Sequence, residues 1–179
     1  MDNSSVKKEN NYLAACFEWV SVLIGALVTV IVIFALLFRV VTVNGESMLN
    51  TLRHNDCLIL VTEFYKLERG DVVVISRKGE EPLIKRVIAL AGDTVDIDSE
   101  NGAVLLNGIP LQEGYVRGGV TPPLGFEGPY TVGDGEIFAM GDNRQWSKDS
   151  RQLGAFSVDD VAGEAVFRVL PLAFAGGIE

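Results

Sequence analysis

A serine hydroxyl is a poor nucleophile until a neighbouring base takes its proton, and three segments of this sequence carry candidates for the two roles. The first is Gly45-Glu46-Ser47-Met48-Leu49-Asn50-Thr51-Leu52. The second, Leu83-Ile84-Lys85-Arg86-Val87-Ile88, sets two adjacent cations inside an apolar run. On a strand, alternate side chains face opposite ways, so Lys85 shares a face with Leu83 and Val87 while Ile84 and Arg86 share the other. A lysine on an apolar face is costly unless it snorkels, pairs or gives up its proton. From this segment alone, a lysine snorkelling at a sheet edge fits better than a catalytic one. The third segment, GDNRQWSKDSRQLG from Gly141 to Gly154, is dense in groups that hydrogen-bond and form ion pairs. By itself it reads equally as a polar loop, where Asp–Arg bridges are worth little.

Other chemistries find less support. A Ser-His-Asp triad would have to use His54, the one histidine, which lies in Arg53-His54-Asn55-Asp56 and reads as a solvated turn residue. One histidine and two cysteines are too few soft ligands for a zinc site, so no metal and no cofactor are expected. No glycine-rich phosphate loop follows a strand and opens a helix. The net charge of −9 disfavours nucleic acid as a partner and leaves no polybasic patch for anionic lipid. Cys16 and Cys57 make no disulfide framework, and Cys57 reads as a small strand residue.

The elements that must hold these segments begin with a membrane anchor. Of 179 residues 48% are hydrophobic, and the excess is concentrated in the uncharged run from Trp19 to Phe38. As a helix this run spans about 30 Å, the thickness of a bilayer's hydrocarbon core. Glu18 and Arg39 bound it, and Tyr12 and Trp19 stand where interfacial aromatics sit. A cleaved secretory signal has a shorter apolar region ending in small residues, and Phe38-Arg39-Val40-Val41 is no such end. A core helix of this length would show a polar stripe. The sequence therefore predicts a retained transmembrane helix at 19–38, an N-terminal segment at 1–18 with its first eleven residues disordered, and a second domain at 40–179. Lys7 and Lys8 before the span nearly balance Arg39 and Arg53 after it, so charge does not orient it.

From Val40 onward, short valine- and isoleucine-rich runs alternate with turn residues, which predicts strands. They are Cys57–Val61, Asp71–Ser76, Leu83–Leu90, Thr94–Ile97, Ala103–Leu106, Glu136–Met140 and Glu164–Val169. Asn107-Gly108 predicts a two-residue hairpin. Gly114–Tyr130, rich in glycine and proline, reads as an exposed, mobile loop, and Ser157 caps a short helical turn reaching Val161. The fold class is mainly β, with one N-terminal transmembrane helix followed by a compact all-β domain.

Taken together, the three segments, with Arg69-Gly70-Asp71-Val72-Val73-Val74 and Gly92-Asp93 between them, resemble the ordered boxes of bacterial type I signal peptidases of the Gram-positive-like kind. The likeness runs from about Val40 to Pro171, and the last box, GDNR-x-x-S-x-D-S-R-x-x-G, is matched at every specified position. The resemblance implies a membrane-bound serine endopeptidase whose β catalytic domain removes signal peptides from exported preproteins, cutting after small residues of the Ala-x-Ala type. It implies Ser47 as nucleophile and Lys85 as general base, with Ser147 hydrogen-bonding the lysine amine. Asp142 with Arg86, and Asp149 with Arg151, would support the site through ion pairs. Val43, Met48, Leu52 and Ile84 match positions lining the pockets for small residues. Gly45, beside them, stands where some members place a serine that donates to the oxyanion. Asn50 replaces the family's usual proline, which implies a looser loop after the nucleophile. The implied partners are preproteins and the lipid bilayer. The implied location is the plasma membrane, with the N-terminus cytoplasmic and the domain at 40–179 extracytoplasmic.

The implied chemistry is physically sensible. At an ordinary pKa of about 10.4, fewer than roughly one lysine in a thousand is neutral at pH 7, and burial on an apolar face lowers that pKa. Ser47 follows Phe38 by nine residues, so it lies within about 30 Å of the membrane, where a signal segment would present its cleavage site. Two other readings compete. One is an anchored, non-catalytic β module that binds a partner through the Gly114–Tyr130 loop. The other is a self-cleaving Ser-Lys protease of the repressor type, for which Ala91-Gly92 and Ala175-Gly176 are candidate bonds.

Overall fold

The computed structural model describes residues 3–62 and 65–178, with the side chains of the first helix from residue 16 onward. The chain divides into two compact units, the first ending at Phe38 and the second starting at Arg39.

The first unit is one helix, α1 (Asn3–Leu37). It corrects the expectation of a disordered beginning, since helix starts at Asn3. Once the apolar run supplies a nucleus, propagation through Lys, Glu, Leu and Ala, all good helix formers, costs little. Residues 1 and 2 and the side chain of Tyr12 lie outside the described residues. Within α1, Cys16–Leu37 is long and apolar enough to cross a membrane, about 33 Å of helix. Phe38, expected to close the span, instead opens β1 (Phe38–Thr42), where the β-branched run Val40-Val41-Thr42 takes over.

The second unit holds two sheets. The larger has the order β1-β2-β11-β3-β4-β9-β10, with β12 paired to β11. Its members are β2 (Cys57–Val61), β3 (Val72–Ile75), β4 (Leu83–Leu90), β9 (Glu136–Met140), β10 (Phe156–Ser157), β11 (Val161–Leu170) and β12 (Gly176–Gly177). The smaller has the order β7-β6-β5-β8, from β5 (Thr94–Ile97), β6 (Val104–Leu106), β7 (Ile109–Pro110) and β8 (Tyr130–Thr131). Each strand foreseen from the sequence is present within a few residues. Asn107-Gly108 forms the foreseen turn, with Leu106 facing Ile109 and both turn residues at positive φ. Ser157 caps its short helical turn by accepting from the Asp159 N–H.

The two-residue period explains why β3 is buried on both faces. Val72 and Val74 enter a core with Val43, Met48, Leu52, Leu58 and Leu60, while Val73 and Ile75 enter another with Val87, Ile137, Ala139 and Phe156. A third cluster joins Val95, Val104 and Leu106 of the smaller sheet to Ile88, Phe138 and Met140 of the larger.

The Gly114–Tyr130 loop is held more firmly than its composition suggests. The fully buried Arg144 donates to Thr121 Oγ1 at 2.7 Å and to Glu113, just before the loop, at 3.0 Å. Arg151 donates to the Pro122 carbonyl at 2.8 Å. Breaking a buried pair by removing one partner costs about 3–5 kcal/mol. Arg144→Met should therefore lower stability by about that amount and speed proteolytic nicking between residues 114 and 130. Unchanged urea midpoint and nicking rate would show that these contacts do not hold the loop.

Candidate active site

Ser47 lies in the turn that follows β1, and the turn is fixed from both sides. Met48 and Leu52 anchor it in the core, and Leu52 N–H donates back to the Met48 carbonyl at 2.8 Å. From the opposite side, the Asn143 N–H donates to the Ser47 carbonyl at 2.9 Å, and Asn143 Nδ2 donates to the Glu46 carbonyl at 3.0 Å. This docking needs a glycine at 141, because a Cβ there would collide with the Ser47 carbonyl and with Ser147 Oγ.

Lys85 comes from the middle of β4, opposite Val73, on the face it shares with Leu83 and Val87. Its side chain is buried, and Nζ donates to Ser47 Oγ at 2.8 Å and to the Ile84 carbonyl at 2.9 Å. The snorkelling alternative is thereby excluded. Burial pushes the amine down from its ordinary 10.5 to about 8, against the opposing pull of Asp149 and Asp142.

Both carboxylates are committed elsewhere. Arg86, on the other face of β4, grips Asp142 with Nε at 2.9 Å and Nη2 at 2.8 Å, and donates to the Gly70 carbonyl at 2.7 Å. The Tyr115 ring covers the Arg86 guanidinium at 4.1 Å, and Thr51 Oγ1 donates to Asp142. Arg151 grips Asp149 at 2.8 Å through each of two nitrogens, and Asp149 accepts the Gly141 N–H at 3.0 Å. Burial raises the Asp149 pKa, but the Arg151 guanidinium outweighs it and holds the carboxyl below its ordinary value.

A signal peptidase family model (peptidase S26) matches residues 16–170. The chain belongs to the signal peptidase family. The signal peptidase I of Bacillus amyloliquefaciens is 34% identical over 179 aligned positions, covering 93% of this chain and 95% of that one. The probable signal peptidase I-1 of Synechocystis is 35% identical over 162, covering 81% and 80%. A solved signal peptidase I from Enterococcus faecalis, 28% identical, covers 58% of this chain and all of its own, with a TM-score of 0.49. The protein is thus a serine endopeptidase of the type I signal peptidase class.

Within this signal peptidase, the residues expected from the boxes do converge, with one difference. The hydrogen bond expected from Ser147 to the Lys85 amine is not formed. Ser147 Oγ is buried near the Asp149 carboxylate, whose pKa it helps to lower, without a hydrogen bond of ordinary geometry among the described residues, while the Lys85 amine turns to Ser47 and the Ile84 carbonyl. The expected pocket residues pack together, Ile84 lying against the cluster that holds Val43, Met48 and Leu52, but they differ in exposure. Ile84 lines an open cleft of about 580 Å³ with Val41, Asn44, Leu60, Val74 and Leu83. Val43, Met48 and Leu52 lie in the core cluster that Leu60 and Val74 share, beneath the cleft surface. Gly45, at φ 101°, gives its N–H to His54 Nδ1 at 3.2 Å, so His54 braces the turn before the nucleophile. Sequence reasoning missed His54 in this role, together with Thr51, Asn143 and the Arg144–Glu113 clip. Thr51, Asn143 and Arg144 stood inside matched boxes, which was the available signal.

The lowered Lys85 pKa predicts a stability signature. Below about pH 8 folded and unfolded chains both carry the proton. Between there and 10.5 only the unfolded chain does, so stability rises with pH across that window, by about 3 kcal/mol. The difference in unfolding free energy between wild type and Lys85→Met, measured from pH 7 to 10.5 in detergent, should climb by that amount. A flat difference would mean that the amine is not desolvated.

Proposed function

We propose that this chain removes signal peptides by a Ser47–Lys85 dyad, anchored in the plasma membrane by α1 with its N-terminus cytoplasmic and residues 40–179 outside. The observation that carries the dyad is the 2.8 Å contact between a buried amine and Ser47 Oγ. Neutral Lys85 takes the hydroxyl proton as Ser47 attacks the scissile carbonyl, and the resulting ammonium returns that proton to the leaving amine. Water, deprotonated by the same amine, then hydrolyses the acyl-enzyme. Ser147 is a supporting group in this reading, because its buried hydroxyl flanks the same Gly141 as the Ser47 carbonyl. It can accept an N–H from Lys85 once the amine has taken up the serine proton.

The substrate reading rests on the cleft beside Ile84. Its walls include Val41, Leu60, Val74, Leu83, Ile84 and Ala162, with Thr42, Asn44 and Ser76 between them and the charged Arg39 and Glu81 also on the lining. A shallow apolar surface of this kind favours small aliphatic side chains before the cut, the Ala-x-Ala pattern. The anchor adds to this, since a signal segment held in the same bilayer meets Ser47 at raised local concentration. No metal or cofactor has a part in the scheme.

A preprotein with Ala-x-Ala before its junction, offered in lipid or detergent, tests the reading. Wild-type kcat/KM should rise through a pKa of about 8, because only the neutral amine acts as base. Ser47→Ala and Lys85→Ala should each lose at least about a thousandfold. Cutting by either variant at the wild-type rate would assign the activity to other residues.

A further inference from the structure

We infer that a hollow across Ser47 from the Ile84 cleft binds the first residues after the cut, and that Trp146 selects an apolar side chain there. The inference deepens the signal-peptide reading proposed above and rests on it. Glu46, Arg117, Gly118, Asn143, Gln145 and Trp146 line the hollow, whose volume is about 430 Å³. None of them lines the Ile84 cleft. The nucleophile turn separates the two spaces: Asn44 belongs to the cleft wall and Glu46 to the hollow, and Gly45 turns the chain between them at φ 101°. Ser47 follows directly. Asn143, on the hollow's lining, donates its N–H to the Ser47 carbonyl at 2.9 Å and its side-chain amide to the Glu46 carbonyl at 3.0 Å. The hollow therefore begins beside the nucleophile. A substrate whose residues before the cut occupy the cleft leaves Ser47 on this side, advancing about 3.3 Å per residue in extended form.

The walls of the hollow are held in place. Arg144–Trp146 forms a 3-10 turn in which the Trp146 N–H donates to the Asn143 carbonyl at 2.9 Å. Within that turn the buried Arg144 donates to the Gly141 carbonyl at 3.0 Å. The Arg117 N–H donates to the Asp142 carbonyl at 3.1 Å, tying the Gly114–Tyr130 loop to the same segment. On this fixed base the Trp146 side chain is 79% exposed. A single exposed apolar side chain is ordinary on a protein surface, but this one lines a hollow next to the nucleophile. Glu46 and Arg117 are both exposed and opposite in sign, so they give the hollow no net charge, and exposed pairs add little. The indole is what remains to discriminate, and an aromatic face rewards an apolar partner with a large buried area. Holding the residues after the cut also orients the leaving amine toward the proton that Lys85 returns.

The test uses the full-length protein in detergent and in lipid vesicles, with preproteins identical through Ala-x-Ala that carry leucine or glycine at each early position after the cut. Wild type should favour leucine at one of these positions by roughly tenfold in kcat/KM. Trp146→Ala should bring that ratio within about twofold, and Trp146→Phe should keep most of it. A fall in both rates with the leucine-to-glycine ratio kept would mark a purely structural role for Trp146 and overturn the inference. A wild type that cuts every one of these preproteins equally well also overturns it, while leaving the proposed function standing. A loss in Trp146→Ala that appears only in vesicles, and is equal for all substrates, would assign the indole to the bilayer surface instead. If wild type cuts none of them, the proposed function fails and this inference falls with it.

Discussion

The whole arrangement depends on keeping one amine dry next to one hydroxyl. Lys85 is a useful base only because burial outweighs the pull of nearby carboxylates, and the fold is organised around that balance. Asp149 and Asp142 would each favour the ammonium, yet Arg151 and Arg86 grip them through two nitrogens apiece. These ion pairs are usually assessed as stability elements, and a buried pair is weak evidence for stability. Here their more specific effect is to neutralise the carboxylates whose unpaired charge would hold the lysine protonated. The β4 alternation makes this possible by sending Lys85 and Arg86 to opposite faces, one toward the serine and one toward the carboxylate that must be quenched.

A second constraint is the close approach of two loops. The nucleophile turn and the GDNR segment meet through the Asn143 bonds to the carbonyls of Ser47 and Glu46, at a spacing only Gly141 permits. Anchoring Met48 and Leu52 in the core fixes the other side of the turn. The loop after the nucleophile, expected to be looser with Asn50 in place of proline, is therefore tied down by its neighbours: Thr51 binds Asp142 and Leu52 is buried.

Much of this was legible in the residues themselves. The apolar run gave the helix, the Val/Ile runs gave the strands, and Asn107-Gly108 gave a turn, because each is a local property with a known period or φ requirement. The order of the matched boxes made Ser47 and Lys85 a pair, although the segment around Lys85 alone favoured a snorkelling side chain. What escaped was long-range or directional. Arg144 finds Glu113 and Thr121 across a loop whose composition suggests mobility, and no local pattern announces a partner thirty residues away. The direction of the Ser147 hydroxyl and the His54 bond to Gly45 depend on tertiary packing and carry no sequence period. The helical start at Asn3 was missed because polarity was read as disorder, when propagation from an adjacent apolar helix needs only tolerable propensities.

The central claim is that dry surroundings lower the Lys85 pKa to about 8, so that an appreciable fraction of the amine is neutral near physiological pH, and carbon NMR titration of its ε-methylene tests this most directly. The resonance, assigned by its absence from Lys85→Met, should titrate with a midpoint of about 8. A midpoint near the ordinary 10.5 would mean that the amine remains charged and solvated, and would contradict its role as the base.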